Sequence, residues 1–253
     1  MKLRGFLMSA LFALAACQST ALPPPLNTAE ERVKLAEINT QLALAYMRDG
    51  DNELALKKLQ KAVEVDPKAF GAYNALGLLY SRLGEVKEAE RAYSDALRIE
   101  PRNASALNNY GQFLCQQKRY KEGLRKFDEA IKNPLNRAPE TAHTNAGTCA
   151  AQAGDMALAE QHFRSAIEIN PQLPQALLAM ADLSYNAANY LQARAYYQRY
   201  VATSTQSART LWLGIRIERK LDDRNAVSSY ALALKSKFPD SHEYGLFQQE
   251  KFD

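Results

Sequence analysis

The residues suited to nucleophilic, redox or metal chemistry are few: three cysteines, Cys17, Cys115 and Cys149, and three histidines, His143, His162 and His242. Structural metal sites hold their ligands at short, regular spacings, and these histidines are scattered without one. The sequence contains no glycine-rich phosphate loop and no G-x-S-x-G nucleophile turn. Asp and Glu are abundant, but on amphipathic helices their default role is a solvated face. These residues point to a protein that is not an enzyme, with no catalytic residue, cofactor, metal or small-molecule substrate. What is left is thiol chemistry, and the fate of a thiol depends on the compartment it reaches.

The first segment, MKLRGFLMSALFALAAC, bears on that compartment. Lys2 and Arg4 make a basic start, followed by an apolar run from Phe6 to Ala16. A membrane-spanning helix needs about 20 apolar residues, so this run is too short to span. A charged start, an apolar stretch of about 7–15 residues and small residues before a cut describe a secretory leader. The alternative is a buried N-terminal helix, but the prolines of QSTALPPPLN follow at once and would end it.

Leu14, Ala15, Ala16 and Cys17 resemble the lipobox of bacterial lipoproteins. The resemblance implies that residues 1–16 are removed as a signal peptide and that Cys17 becomes the lipidated first residue. Gln18, in place of an aspartate, resembles the state sorted to the outer membrane. Each buried acyl methylene contributes about 0.8 kcal/mol, and one chain alone holds only marginally; the three chains implied for Cys17 meet that need. Residues 17–27, with Pro23, Pro24 and Pro25, read as a tether, whose extended stretch reaches roughly 30 Å at about 3.1 Å per residue. Losing the leader removes Lys2 and Arg4 and no acid, which takes the formal charge from +4 to +2. Nucleic-acid binding calls for a concentrated basic stripe; here bases and acids are interspersed, so no nucleic-acid partner is expected.

Downstream of the tether the chain repeats. Pro67, Pro101, Pro171 and Pro239 align the repeats, with two extra residues before the fourth unit, and the step from Pro67 to Pro101 is the period of the tetratricopeptide repeat (TPR). AYNALGLLYSRLGEVKEAERAYSDALRIEP is similar to that family at each signature position, with Tyr73, Leu76, Gly77 and Tyr80 on a first helix, and Ala89, Tyr93 and Ala96 on a second. Small residues let the helices approach, large ones fill the space between them, and proline ends the second helix. The frame gives units at 36–69, 70–103, 104–137, 140–173, 174–207 and 208–241, the fifth degenerate and the sixth more so. The expected fold is all-α: a right-handed superhelical TPR solenoid of six helix-turn-helix repeats, one continuous domain over 28–253. Thr28 and Glu31 form a capping-box pattern for the first helix, and residues 242–253 read as a C-terminal cap.

In this frame Cys115 and Cys149 lie on the first helices of units three and four, which stack side by side. In an oxidising periplasm a disulfide between them would persist, provided their Cα atoms lie within about 7 Å. The alternative is two buried free thiols acting as small hydrophobes. The concave surface of such a solenoid is its usual binding surface. By register its candidate lining is Leu44 and Met47 in unit one, Asn74 and Leu78 in unit two, and Asn108 and Gln112 in unit three. Leu178, Tyr185, Trp212 and Arg216 continue it toward a more basic C-terminal end. Leu44, Met47 and Leu78 suit an amphipathic helix or strand of a partner, the alternative being ordinary packing between repeats. The amides of Asn74 and Asn108 suit a peptide backbone, or else a local role on the helix surface.

Three strings, NNYGQFLC (from Asn108), RYKEGLRKFDEAI (from Arg119) and TNAGTCAAQAGDMALAEQHFRSAI (from Thr144), resemble the type IV pilus biogenesis lipoproteins, the pilotins of the PilF/PilW type. Leu213 and Gly214 depart from the usual pattern. The resemblance implies a lipid-anchored protein at the periplasmic face of the outer membrane. Its partner would be the secretin subunit of the pilus system, which it would help to localise and to assemble into multimers. A TPR scaffold that regulates cell-wall or outer-membrane assembly enzymes through the same groove is the alternative.

Overall fold

A computed structural model describes residues 28–252; the expected leader at 1–16, the tether at 17–27 and Cys17 lie outside the described residues. Six helices form the first members of pairs: α1 (Ala29–Asp49), α3 (Phe70–Leu83), α5 (Ala104–Gln116), α7 (Pro139–Gln152), α9 (Pro174–Asn186) and α11 (Ala208–Lys220). Their partners are α2 (Asn52–Val65), α4 (Val86–Ile99), α6 (Tyr120–Ile131), α8 (Met156–Ile169), α10 (Tyr190–Thr203) and α12 (Arg224–Lys237), and α13 (His242–Gln248) ends the array. No strand occurs among the described residues. Each pair packs on the next, giving an all-α solenoid.

The helix boundaries follow from local chemistry. At the start of α1, Thr28 accepts from the Glu31 amide while Glu31 accepts from the Thr28 amide, a closed capping box. Asp51, Asn103, Asp155 and Asp223 accept from backbone amides at the starts of α2, α5, α8 and α12. Gly50 ends α1 at φ 84°, a left-handed conformation that favours glycine.

Within a pair, close approach comes from missing side chains. A Cβ on Gly77 would lie 2.6 Å from the Tyr93 ring, and Gly111 and Gly147 face Phe127 and Phe163 in the same way. The aromatic ring fills the slot that glycine leaves, and Tyr93, Phe127 and Phe163 are fully buried or nearly so. Leu213 and Gly214, the departure noted in the sequence, have a physical reason. Gly214 takes up the ring of Tyr197 from the preceding repeat's second helix, 2.7 Å from where a Cβ would stand. The slot in the last unit has moved from within a repeat to between repeats. Tyr197 is buried there, with its hydroxyl accepting from Gln206 Nε2 at 3.2 Å.

The ends of the array differ. Ile38 and Leu42 on α1 are 47% and 41% exposed. At the other end α13 packs on both α11 and α12, where the first helix of a further repeat would stand. Between α10 and α11, Glu218, 2% exposed, pairs with Arg194, which also reaches Asp223 at 3.4 Å.

Candidate partner-binding face

The first helices present their register-equivalent side chains on one face, and an amide ladder crosses it. Asn109 Nδ2 donates to Asn74 Oδ1 at 3.2 Å, and Asn145 Nδ2 donates to Asn108 Oδ1 at 3.0 Å. Asn74 and Asn108 thus have a packing role between neighbouring repeats. In the ladder they accept through Oδ1 and do not use their Nδ2 donors. Ser81 Oγ donates to Gln116 Oε1 at 3.2 Å in the same manner, while Gln112 is exposed.

The N-terminal wall differs from the expectation. Met47 is 4% exposed and belongs to the core shared by the first two repeats, so it does not line a groove. Arg82 of the second repeat reaches back and donates from Nη1 to the Met47 carbonyl at 3.1 Å, which closes that position. Leu44 and Leu78 are half-buried against the same core and offer only part of their surface.

Open space lies at the other end. A depression of about 830 Å³ runs across α7, α9 and α11, lined by Thr148, Gln152, Leu178, Asp182, Trp212 and Arg216 among others. Leu178, Trp212 and Arg216 fall where the repeat frame puts them, but the N-terminal candidates carried the main expectation. The signal that could have reversed this order is in the sequence of α11. Arg209, Arg216, Arg219 and Lys220 share a face with Trp212, the only tryptophan of the chain. The Arg216 guanidinium lies over the Tyr185 ring at 4.4 Å, which anchors it against α9.

Behind this face, Cys115 and Cys149 are joined as a disulfide between α5 and α7, with Cα atoms 5.7 Å apart. Both are buried, at 5% and 1% exposure. The bridge has a companion signal that the sequence reading missed. Position for position, α2, α4, α8 and α10 carry Ala55, Ala89, Ala159 and Ala193, while α6 carries Gly123. A Cβ on Gly123 would overlap the Cys115 sulfur and lie 2.8 Å from the Gly111 carbonyl oxygen.

Two of the scattered histidines also meet. His143 on α7 and His162 on α8 place their Nδ1 atoms 3.1 Å apart, so one ring must donate and the other accept. Burial lowers the pKa of both from 6.5, and for His162 the neighbouring His143 adds to the effect. Among the described residues there is no group of three or more His, Cys, Asp or Glu side chains that could hold a metal ion. No described helix is long and apolar enough to cross a membrane.

Comparison with known proteins agrees with this architecture. Tetratricopeptide repeat families match residues 43–84 and 74–136, and the middle TPR-like domain of cilia and flagella-associated protein 70 matches residues 132–234. The type IV pilus assembly protein PilF of Pseudomonas aeruginosa is 36% identical over 238 residues, which are 94% of each chain. The solved structure of Pseudomonas aeruginosa PilF superposes with a TM-score of 0.78 at 38% identity, covering 87% of this chain and 99% of that one. PilW, described as a widely conserved type IV pilus biogenesis factor, superposes with a TM-score of 0.78 at 31% identity, covering 85% and 99%.

Proposed function

The chain belongs to the PilF/PilW family of TPR type IV pilus assembly proteins, and from that premise we propose that it is an outer-membrane-anchored pilotin. In this role it binds the secretin subunit of the pilus system and promotes its localisation and assembly into multimers, without chemistry of its own. The observation that carries the reading is the relation to PilF, which runs through 94% of both chains rather than through a shared repeat alone. An open concave face fits a protein that works by capturing another.

The mechanism is physical. Acyl chains on Cys17 hold the solenoid at the periplasmic face of the outer membrane, and the tether lets it reach a subunit nearby. Capture then confines subunits to two dimensions, and their effective concentration rises without any new contact between them. Ring formation, which needs many encounters, is favoured most by such confinement.

Cys17→Ser separates anchoring from folding. The variant is expected to keep the helical content and thermal midpoint of the parent, while secretin multimers disappear from the outer-membrane fraction. Normal multimers in that fraction, with the variant protein present at parental level, would overturn the proposal.

A further inference from the structure

The concave face is partly filled by the chain's own C-terminal segment. After α13 the backbone turns sharply. The Glu250 amide donates to the Phe247 carbonyl at 3.1 Å and the Lys251 amide to the Leu246 carbonyl at 3.0 Å, with Glu250 at φ 53°. This turn sends Phe252 back over α11. Its ring stacks on Trp212 with centroids 5.4 Å apart and planes 20° apart, and the Arg219 guanidinium sits 3.6 Å from its centroid. Phe247 meets the same ring edge-on at 6.1 Å. Tyr185, Arg216, Lys220 and Glu250 complete the notch around Phe252. Arg216 lines both this notch and the 830 Å³ depression, and Trp212, on which Phe252 stacks, lines the depression, so the two spaces adjoin.

The chemistry of this surface is specific. Arg209, Arg216, Arg219 and Lys220 project from one face of α11, and the acid facing them from α9 is Asp182. Arg216 Nε is buried without a hydrogen-bond partner in the protein. Arg219 and Lys220 beside it are exposed, and such a cluster of cations favours a ligand that brings carboxylates. Trp212 and Arg219 form a slot for an aromatic ring, used now by Phe252. The resident is held through one side chain: Phe252 is half-buried against Trp212 while Lys251 beside it is exposed.

We infer that the α9–α11 end of the concave face is a recognition site for a peptide segment carrying an aromatic side chain beside carboxylates, and that residues 249–252 are its displaceable resident. The segment Glu250, Lys251, Phe252 shows the chemistry in miniature: an acid followed closely by an aromatic ring. A partner segment competes with it, so its apparent affinity is reduced by the fraction of time the resident occupies the slot. The inference goes beyond the pilotin reading and holds whichever protein supplies the segment.

The test uses the full-length protein in detergent and a fluorescein-labelled peptide, HEYGLFQQEKFD, corresponding to residues 242–253. Binding is read by anisotropy, and the state of the slot by emission from Trp212, the sole tryptophan. Deleting residues 249–253 is expected to red-shift Trp212 emission and to tighten peptide binding at least tenfold over the intact chain. Peptide with Phe252→Ala or Glu250→Gln, or protein with Arg216→Met, should lose most of that gain. If the deletion costs helical structure, Phe252→Ala in the full chain opens the slot alone, and the same red shift and tighter binding are expected. A folded open-slot variant that binds the peptide no better than the intact chain, or that binds the Phe252→Ala peptide equally well, would overturn the inference.

Discussion

Gly123 is where repeat packing and the cysteine bridge compete for one methyl group's worth of space. The equivalent position holds alanine in α2, α4, α8 and α10, where Ala55, Ala89, Ala159 and Ala193 are all 0% exposed, and Val227 in α12. Gly123→Ala would gain about 1 kcal/mol of intrinsic helix propensity. Against this stand the Cys115 sulfur, held in place by its bond to Cys149, and the Gly111 carbonyl oxygen at 2.8 Å. Neither is the end of a flexible side chain, so the helices must separate, and overpacking of this kind costs about 1–3 kcal/mol. With two close contacts at once the strain wins: the variant should be less stable by up to about 2 kcal/mol, seen as a lower urea midpoint. Replacing Cys115 and Cys149 by alanine should soften the penalty without abolishing it, because the carbonyl contact stays. An unchanged midpoint for Gly123→Ala in the bridged protein would contradict this account.

At the scale of the helix, what the sequence makes legible is whatever repeats. The pairing of α1 to α12 and the face that each first helix presents follow from the period, because the same small and large residues recur at the same places. Whatever depends on a neighbour out of register stays hidden. Met47 has the register of a groove residue, yet Arg82 reaches across from the next repeat to its carbonyl and closes it in. Gly214 breaks the pattern because its ring partner comes from the repeat before. His143 and His162 are 19 residues apart on different helices, and only the packing of α7 on α8 brings them together. That pair has a measurable consequence. Both rings have a folded-state pKa below the ordinary 6.5, chiefly through burial, with Glu168 and Asp128 opposing the shift. The unfolded chain therefore takes up protons first as pH falls, and the stability of neutral, paired rings is lost as pH drops through about 6.5 toward the lower folded value. The thermal midpoint should fall between pH 7.5 and pH 5.5 by more than it does in a His143→Gln, His162→Gln double variant. Identical slopes for the two proteins would rule the pair out as a contributor.

At the scale of the whole molecule, a solenoid is stabilised by contacts between neighbouring repeats, and no single core ties its ends together. Such an array can open locally wherever one junction is weak. The junction between repeats three and four carries an extra loop before α7, where Leu135 is 82% exposed and Asn136 Nδ2 donates to the Ala130 carbonyl, yet α6 packs on α7 more extensively than the facing helices of any other described junction. It is also the junction that the Cys115–Cys149 bridge crosses. Closing a loop of 34 residues removes unfolded-state entropy worth about 3–4 kcal/mol, comparable to a large share of a domain's net stability. The bridge therefore reinforces a junction at which the N-terminal and C-terminal halves of the array already pack closely. Reduction with a thiol, or a Cys115→Ala, Cys149→Ala replacement, should lower global stability by roughly that amount. Amide exchange should show where: α5, α6, α7 and α8 should lose protection first, while α1, α2 and α12 change least, since each repeat feels mainly its neighbours. Because Trp212, Arg216 and the open depression rest on α7 and α9, partner capture should weaken on reduction even under conditions where the protein stays folded overall. Uniform loss of protection along the chain would instead mean that the solenoid unfolds as one unit and that the bridge has no local role.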